Sequence, residues 1–240
     1  MEKQKGFSLV ELGIVLVIIG LIIGAVTSGS HLLKAAKLNK IISELSGYKQ
    51  AIEDFRLKYK GWPGDLINAT SYWGTSGVDT YGTVNGDGNE QISGSTITEP
   101  LRAWQQLGAA NLINGLYTGA DAGTPDFAIG VNVPGSAIDG AFYYLYRHSN
   151  NFATTGNSIN IAKNYSGNPW GASLSPADSY TIDKKIDDGK PTSGNLYFFR
   201  GADFASAGKC VDQSLDQASA NAILTNYEES CRMVLWLNKE

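Results

Sequence analysis

The chain has 240 residues, 18% of them charged, with 28 glycines, 12 tyrosines and a formal net charge of -4. That length allows one large domain or two small ones with a sizeable core, and the weakly acidic balance leaves no electrostatic footprint for nucleic acid. Low charge content beside abundant Gly, Tyr, Asn, Ser and Thr fits a loop-rich extracytoplasmic surface.

Lys3 and Lys5 precede Glu11, which opens onto an uncharged run from Leu12 to Ser30. The run is long enough to cross a hydrocarbon core of about 30 Å. The positive-inside rule then puts residues 1–6 in the cytoplasm and everything after about residue 30 outside. A secretory signal peptide shares the basic start and apolar centre but needs a small-x-small cleavage site after it. Gly24-Ala25-Val26 and Thr27-Ser28-Gly29 supply only imperfect versions. Glu11 separates the two readings, because a carboxylate at the edge of an apolar segment opposes insertion and calls for a partner.

The run Gly6-Phe7-Ser8-Leu9-Val10-Glu11-Leu12, after a short charged leader, resembles the class III signal of type IV prepilins and type II secretion pseudopilins. The resemblance implies that a prepilin peptidase cuts after Gly6, leaves the apolar segment on the mature protein and methylates the new N-terminal Phe7. Glu11 becomes the fifth mature residue. It further implies other pilin or pseudopilin subunits as partners in a helical homo- or hetero-polymer, together with an inner-membrane assembly platform. The expected location is the bacterial inner membrane, single-pass with N in and C out, and then a periplasmic or cell-surface filament. Members of that family often carry a proline where this chain has Ser28, which leaves open whether the helix melts there on assembly.

Physical chemistry gives the motif its own logic. Cleavage exposes the α-ammonium of Phe7, and Glu11 of a neighbouring subunit would neutralise it in a low-dielectric filament core. Pairing within one chain is the alternative. Gly20 and Gly24 form a Gly-x-x-x-Gly pair that permits close helix approach or, equally, gives flexibility.

Past the apolar run, Leu38, Ile41, Leu45, Tyr48, Ile52, Phe55 and Tyr59 alternate at spacings of three and four, with Lys, Glu and Asp on other faces. The stripe predicts that the same helix continues outward and becomes amphipathic. Over residues 7–59 it would be roughly 80 Å long at about 1.5 Å per residue. A coiled coil would also use such a stripe; packing against the protein's own C-terminal sheet accounts better for the large domain that follows. Gly61 and Pro63 are expected to end the helix. The predicted organisation is a cleaved leader at 1–6, a long helix at 7–59 with about 7–30 in the membrane, and a head at 60–240.

The head reads as one α+β, antiparallel, loop-rich unit. Residues 61–98 form a long loop, and Thr98 caps a short helix to about Ile113. Residues 127–133, 141–147, 196–200 and 232–237 are strand-like. Ser175-Pro176-Ala177-Asp178 has the cap, proline and acid of a helix start, with Gly189 and Pro191 as its stop. Trp62-Pro63-Gly64-Asp65 and Ile186-Asp187-Asp188-Gly189-Lys190-Pro191 also resemble stretches of large pilin-like proteins; by composition the first is a turn and the second a helix C-terminus.

For chemistry, Asn85, Asp87, Asn89 and Gln91 alternate around glycines and could wrap Ca²⁺ as the first half of an EF-hand loop does. A polar turn between strands explains the same residues. Thr83 stands where the first ligand would be and Gly94 where a bidentate acid would be. Calcium-stapled loops in pseudopilin heads raise the calcium expectation by resemblance alone. Cys210 and Cys231 most simply form one disulfide in an oxidising compartment, the alternative being two unrelated buried thiols. The only histidines, His31 and His148, leave no triad with spare members. Asp183, Asp187 and Asp188, interleaved with Lys184 and Lys185, read as a solvated face. The run Phe142 to Tyr146 reads as a strand packed on both sides.

Together these features predict a pilin-like structural subunit, a minor pilin or pseudopilin, rather than an enzyme. No cofactor is expected beyond a structural Ca²⁺. The competing reading is a membrane-anchored periplasmic binding protein or enzyme whose head takes a small ligand or surface. The cysteine pair leans toward a pilus and a calcium loop toward a secretion pseudopilus.

Overall fold

A computed structural model of the chain describes residues 8–75, 82–94, 98–120, 127–148, 154–202, 209–212 and 220–239. Gly6 and Phe7, the expected cleavage and methylation positions, lie outside the described residues. The chain divides into two compact units, with the boundary between Asn39 and Lys40.

Helix α1, Leu9–Tyr59, is continuous through Ser28 and crosses that boundary. In the first unit its side chains from Leu9 to Val26 are largely exposed and apolar. Among the described residues it is one helix long and apolar enough to cross a membrane. Its hydroxyls are satisfied locally, Thr27 Oγ1 bonding back to Ile23 O and Gly24 O, and Ser30 Oγ to Thr27 O. This is the usual way a polar side chain is carried on an apolar helix.

The second unit takes in the later half of α1 and the head. Here the amphipathic stripe turns inward, with Ile41, Leu45, Ile52 and Phe55 all buried. Tyr48 meets Trp104 and Tyr143 edge-to-face, at centroid distances of 4.9 and 5.0 Å, and such pairs add to the area they bury. The helix stops at Tyr59, but the left-handed residue that turns the chain is Lys60, at φ 60°, and not Gly61. A short helix α2, Ala69–Trp73, then stacks Trp73 near Phe55 and Tyr59. Helix α3 runs Thr98–Ala109, shorter than expected.

The sheet consists of β1, Ala141–His148; β2, Gly156–Tyr165; β3, Asn168–Gly171; β4, Leu196–Arg200; and β5, Cys231–Trp236. The order is β1-β2-β5-β4 with β3 on β2, and every pairing is antiparallel. Helix α4, Pro176–Ile186, precedes β4. The fold is therefore α+β, as its sequence implies.

Alternation along the strands gives two buried faces. Tyr143, Ile159, Ile161, Phe198 and Met233 are apolar and fully buried on one. The other carries Tyr144, His148, Ser158, Asn160, Tyr197, Phe199, Val234 and Trp236, an aromatic surface with polar groups in it. The run Phe142 to Tyr146 is thus covered on both sides. One expected strand is absent: residues 127–133 form a turn closed by an Ile129–Val133 bridge and by Asn132 Oδ1, which accepts from Ala128 N. Cys210 and Cys231 are joined in a disulfide with their Cα atoms 5.2 Å apart, which ties the described 209–212 stretch to the start of β5.

Candidate functional site

At the N-terminus, Ser8 and Glu11 form the two halves of a helix start. Ser8 Oγ accepts from Val10 N at 3.2 Å, and Glu11 Oε2 accepts from Ser8 N at 2.8 Å. This is the reciprocal arrangement of a capping box, which satisfies amides that the first turn leaves open. Glu11 therefore has a local partner within its own chain, and its carboxylate lies exposed at the mouth of the apolar segment. The acid also suits the positive end of the helix dipole.

In the head, Asp65 organises the 82–94 stretch. It is almost fully buried. Its Oδ1 accepts from Gly88 N at 2.6 Å and Asn89 N at 3.2 Å, and its Oδ2 from Glu90 N at 2.8 Å. Burial, first, and a hydrogen bond shared with Asp87 push its carboxyl up to about 6, against the opposing pull of those amides. Gly86 N bonds Leu66 O, and a Cβ at Gly86 would overlap the Asp65 backbone. Only glycine lets the two strands of chain lie so close.

Of the four residues expected to alternate around a cation, Asn85, Asp87 and Asn89 have their side chains engaged in hydrogen bonds. Asn85 Oδ1 accepts from Thr70 N at 2.9 Å, Asp87 binds Asn89 N and Nδ2, and Asn89 Oδ1 accepts from Gln91 N. Asp87 lies with Asp65 and Glu99, their nearest oxygens within 4.8 Å of one another. Beside them a cleft of about 610 Å³ is lined by Glu53, Arg56, Leu57, Trp62, Asp65 and Ile67, with the Arg56 guanidinium 3.8 Å over the Trp62 ring.

A second carboxylate group departs from its expected setting. Ser175 Oγ accepts from Asp178 N and donates to Asp178 Oδ2, which starts α4 as expected. At the other end Asp187 caps α4, its N–H donating to Asp183 O at 2.7 Å. Asp183 does not belong to a solvated face; it is 0% exposed because helical periodicity turns it inward with Ile182 and Ser179. Neither of its oxygens has a hydrogen-bond partner among the described residues. Burial, then the charges of Asp187 and Asp188, push its carboxyl up to about 7, while the amides of Gly189 and Lys190 pull the other way. Asp187 Oδ2 accepts from Asn195 N and Leu196 N, and Asp188 accepts from Lys190 N and Ser193 Oγ. The turn into β4 is thus folded around acid side chains. A Cβ on Gly194 would fall on the Asp187 carboxylate.

His148 is buried, with Nε2 2.7 Å from Asn160 Oδ1. Asn160 Nδ2 donates to Tyr144 O and Ser158 Oγ, so its oxygen faces the ring and His148 Nε2 is the donor. The nearby charge is Arg232, whose guanidinium sits 4.5 Å over the Phe199 ring and is lowered to about 10 by burial.

No curated protein and no solved structure matches the chain. Residues 1–27 match the family model described as the prokaryotic N-terminal methylation motif, so the chain opens with the signal of type IV pilins and pseudopilins.

Proposed function

We propose that the chain is a pilin-like structural subunit. It is cut after Gly6 by a prepilin peptidase, methylated on Phe7, and built through α1 into a type IV pilus or a type II secretion pseudopilus as a minor pilin or pseudopilin. The observation that carries this reading is the methylation motif over residues 1–27, on a helix whose exposed apolar part fits membrane anchoring. The subunit sits in the inner membrane with its head outside before it joins a filament. Its work is assembly, and the head contributes surface rather than bond chemistry.

Glu11 has two roles in this scheme, and they separate experimentally. Glu11→Gln keeps the cap, since an amide oxygen still accepts from Ser8 N, but removes the charge that would meet a neighbouring Phe7 ammonium. Normal insertion and cleavage with impaired incorporation into filaments is the expected phenotype, with Glu11→Leu worse. Assembly of Glu11→Gln at the wild-type level counts against the charge pairing. Separately, mass spectrometry of the mature chain is expected to begin at N-methylated Phe7, and any other N-terminus rejects the processing step.

A further inference from the structure

The turn between α4 and β4 brings three acids to one point. One oxygen each from Asp183, Asp187 and Asp188 lies within 4.8 Å of the others. Ligand oxygens on Ca²⁺ sit about 2.3–2.6 Å from the ion, so atoms on opposite sides of it are about 5 Å apart. Three oxygens no more than 4.8 Å apart lie within about 2.8 Å of one common point, close to the reach of Ca²⁺, so small side-chain adjustments bring them onto one ion.

A cluster of acids on a surface would mean little. Asp183 makes this one different, because it is wholly buried, is aimed at the other two, and has both oxygens without a hydrogen bond among the described residues. A buried carboxylate ordinarily takes several donors or a paired charge. Its two neighbours do take backbone and hydroxyl donors, and those bonds hold them facing Asp183. The group also sits at the C-terminal end of α4, where the helix dipole adds negative potential instead of relieving it. The two neighbouring carboxylates and the helix end thus favour a positive charge beside Asp183, and the amides of Gly189 and Lys190 offset them only in part. Asp188 is exposed and Asp187 half-buried, so an ion has a way in from solvent.

We propose that Asp183, Asp187 and Asp188 form a Ca²⁺ site that closes the α4–β4 turn. The donors are all hard oxygens, which suit Ca²⁺ and not zinc. Three protein carboxylates leave the remaining coordination positions to water or backbone carbonyls. That places the affinity with extracellular calcium modules, at about 10⁻⁴–10⁻³ M. The site is separate from the 85–91 loop and does not depend on the filament reading.

The test uses the full processed chain in detergent micelles, stripped with a chelator and titrated with CaCl₂ to about 10 mM near neutral pH. Calorimetry is expected to show one ion bound, with a rise in Tm. Asp183→Asn, which is isosteric, is expected to abolish binding and to raise the Tm of the calcium-free protein by removing the repulsion. Asp188→Asn, altering an exposed side chain, is expected to weaken binding about tenfold or more, and it decides the matter if Asp183→Asn fails to fold. Asp87→Asn is expected to bind as wild type. Absence of binding in the wild type, binding unchanged in Asp188→Asn, or binding lost only in Asp87→Asn each overturns the proposal; the last would assign the ion to the 85–91 loop.

Discussion

Tyr143 donates its phenolic O–H to Glu44 Oε2 at 2.7 Å, joining the middle of β1 to the amphipathic half of α1 across a separation of 99 residues. Tyr143 is wholly buried, and burial, followed by Glu44, holds its hydroxyl protonated far above the ordinary tyrosine range. Hydrogen bonds to charged groups are the strong ones. Tyr143→Phe keeps the ring and its contact with Tyr48 and is expected to cost about 1–3 kcal/mol in denaturant unfolding. Adding Glu44→Gln to Tyr143→Phe should cost little more, because the two act as a pair.

His148 gives the head an acid-sensitive element. Burial lowers its pKa from 6.5 to about 4; Asn160 opposes the shift and Arg232 reinforces it. The unfolded chain thus takes up a proton before the folded one does. The stability contributed by neutral His148 is complete above about pH 6.5 and is lost as pH falls toward 4, by roughly 3 kcal/mol. The raised carboxyls of Asp65 and Asp183 act in the opposite sense over the same range, so the readout is the difference: as pH falls from 6.5 toward 4, the urea midpoint of wild type should drop relative to that of His148→Gln.

Asp65 is expected to matter more for folding than any of the loop residues it binds. Asp65→Asn sets an NH₂ group against amides that need an acceptor. A loss of about 1–3 kcal/mol is expected, with faster proteolytic cutting near residues 86–90 as a local readout. Asp87→Asn, at an exposed position, should have a smaller effect on both.

The Cys210–Cys231 bond closes a loop of about 20 residues, for which the chain-entropy model gives about 3 kcal/mol. Reduction, or the double change to alanine, should lower Tm while leaving the far-ultraviolet spectrum near that of the native protein. An unchanged Tm would mean that the bond constrains little in the unfolded chain.

Much of this architecture is legible locally. The heptad stripe on α1, the Ser175-Pro176 start of α4 and the apolar β4 each carry their signal within a few residues. The central strand β2 does not. Asn157, Ser158 and Asn160 are polar yet fully or almost fully buried, because their partners are Ile92, Tyr146, Tyr144 and His148 on other segments. Such residues look like a loop until the fold supplies their hydrogen bonds. Asp65 is hidden for the same reason, since the amides it binds lie more than twenty residues on. Asp183 misleads differently: flanking lysines suggest a solvated helix face, and only the packing of α4 shows which way the residue points. The motif around Glu11 is readable because its signal lies in contiguous residues.

Every amide N–H from Gly88 to Ile92 ends on a side-chain oxygen, supplied by Asp65, Asn89 or Asn157. The stretch lies in no named strand, yet it has the satisfied backbone of one. Asp65 follows α1 and Asn157 belongs to β2, so releasing either end removes acceptors that the stretch cannot replace from a neighbouring strand. In hydrogen exchange these five amides should behave as a cooperative patch, slow as a group and freed as a group. Asp65→Asn should therefore accelerate Ile92 as well, although Asp65 does not touch it.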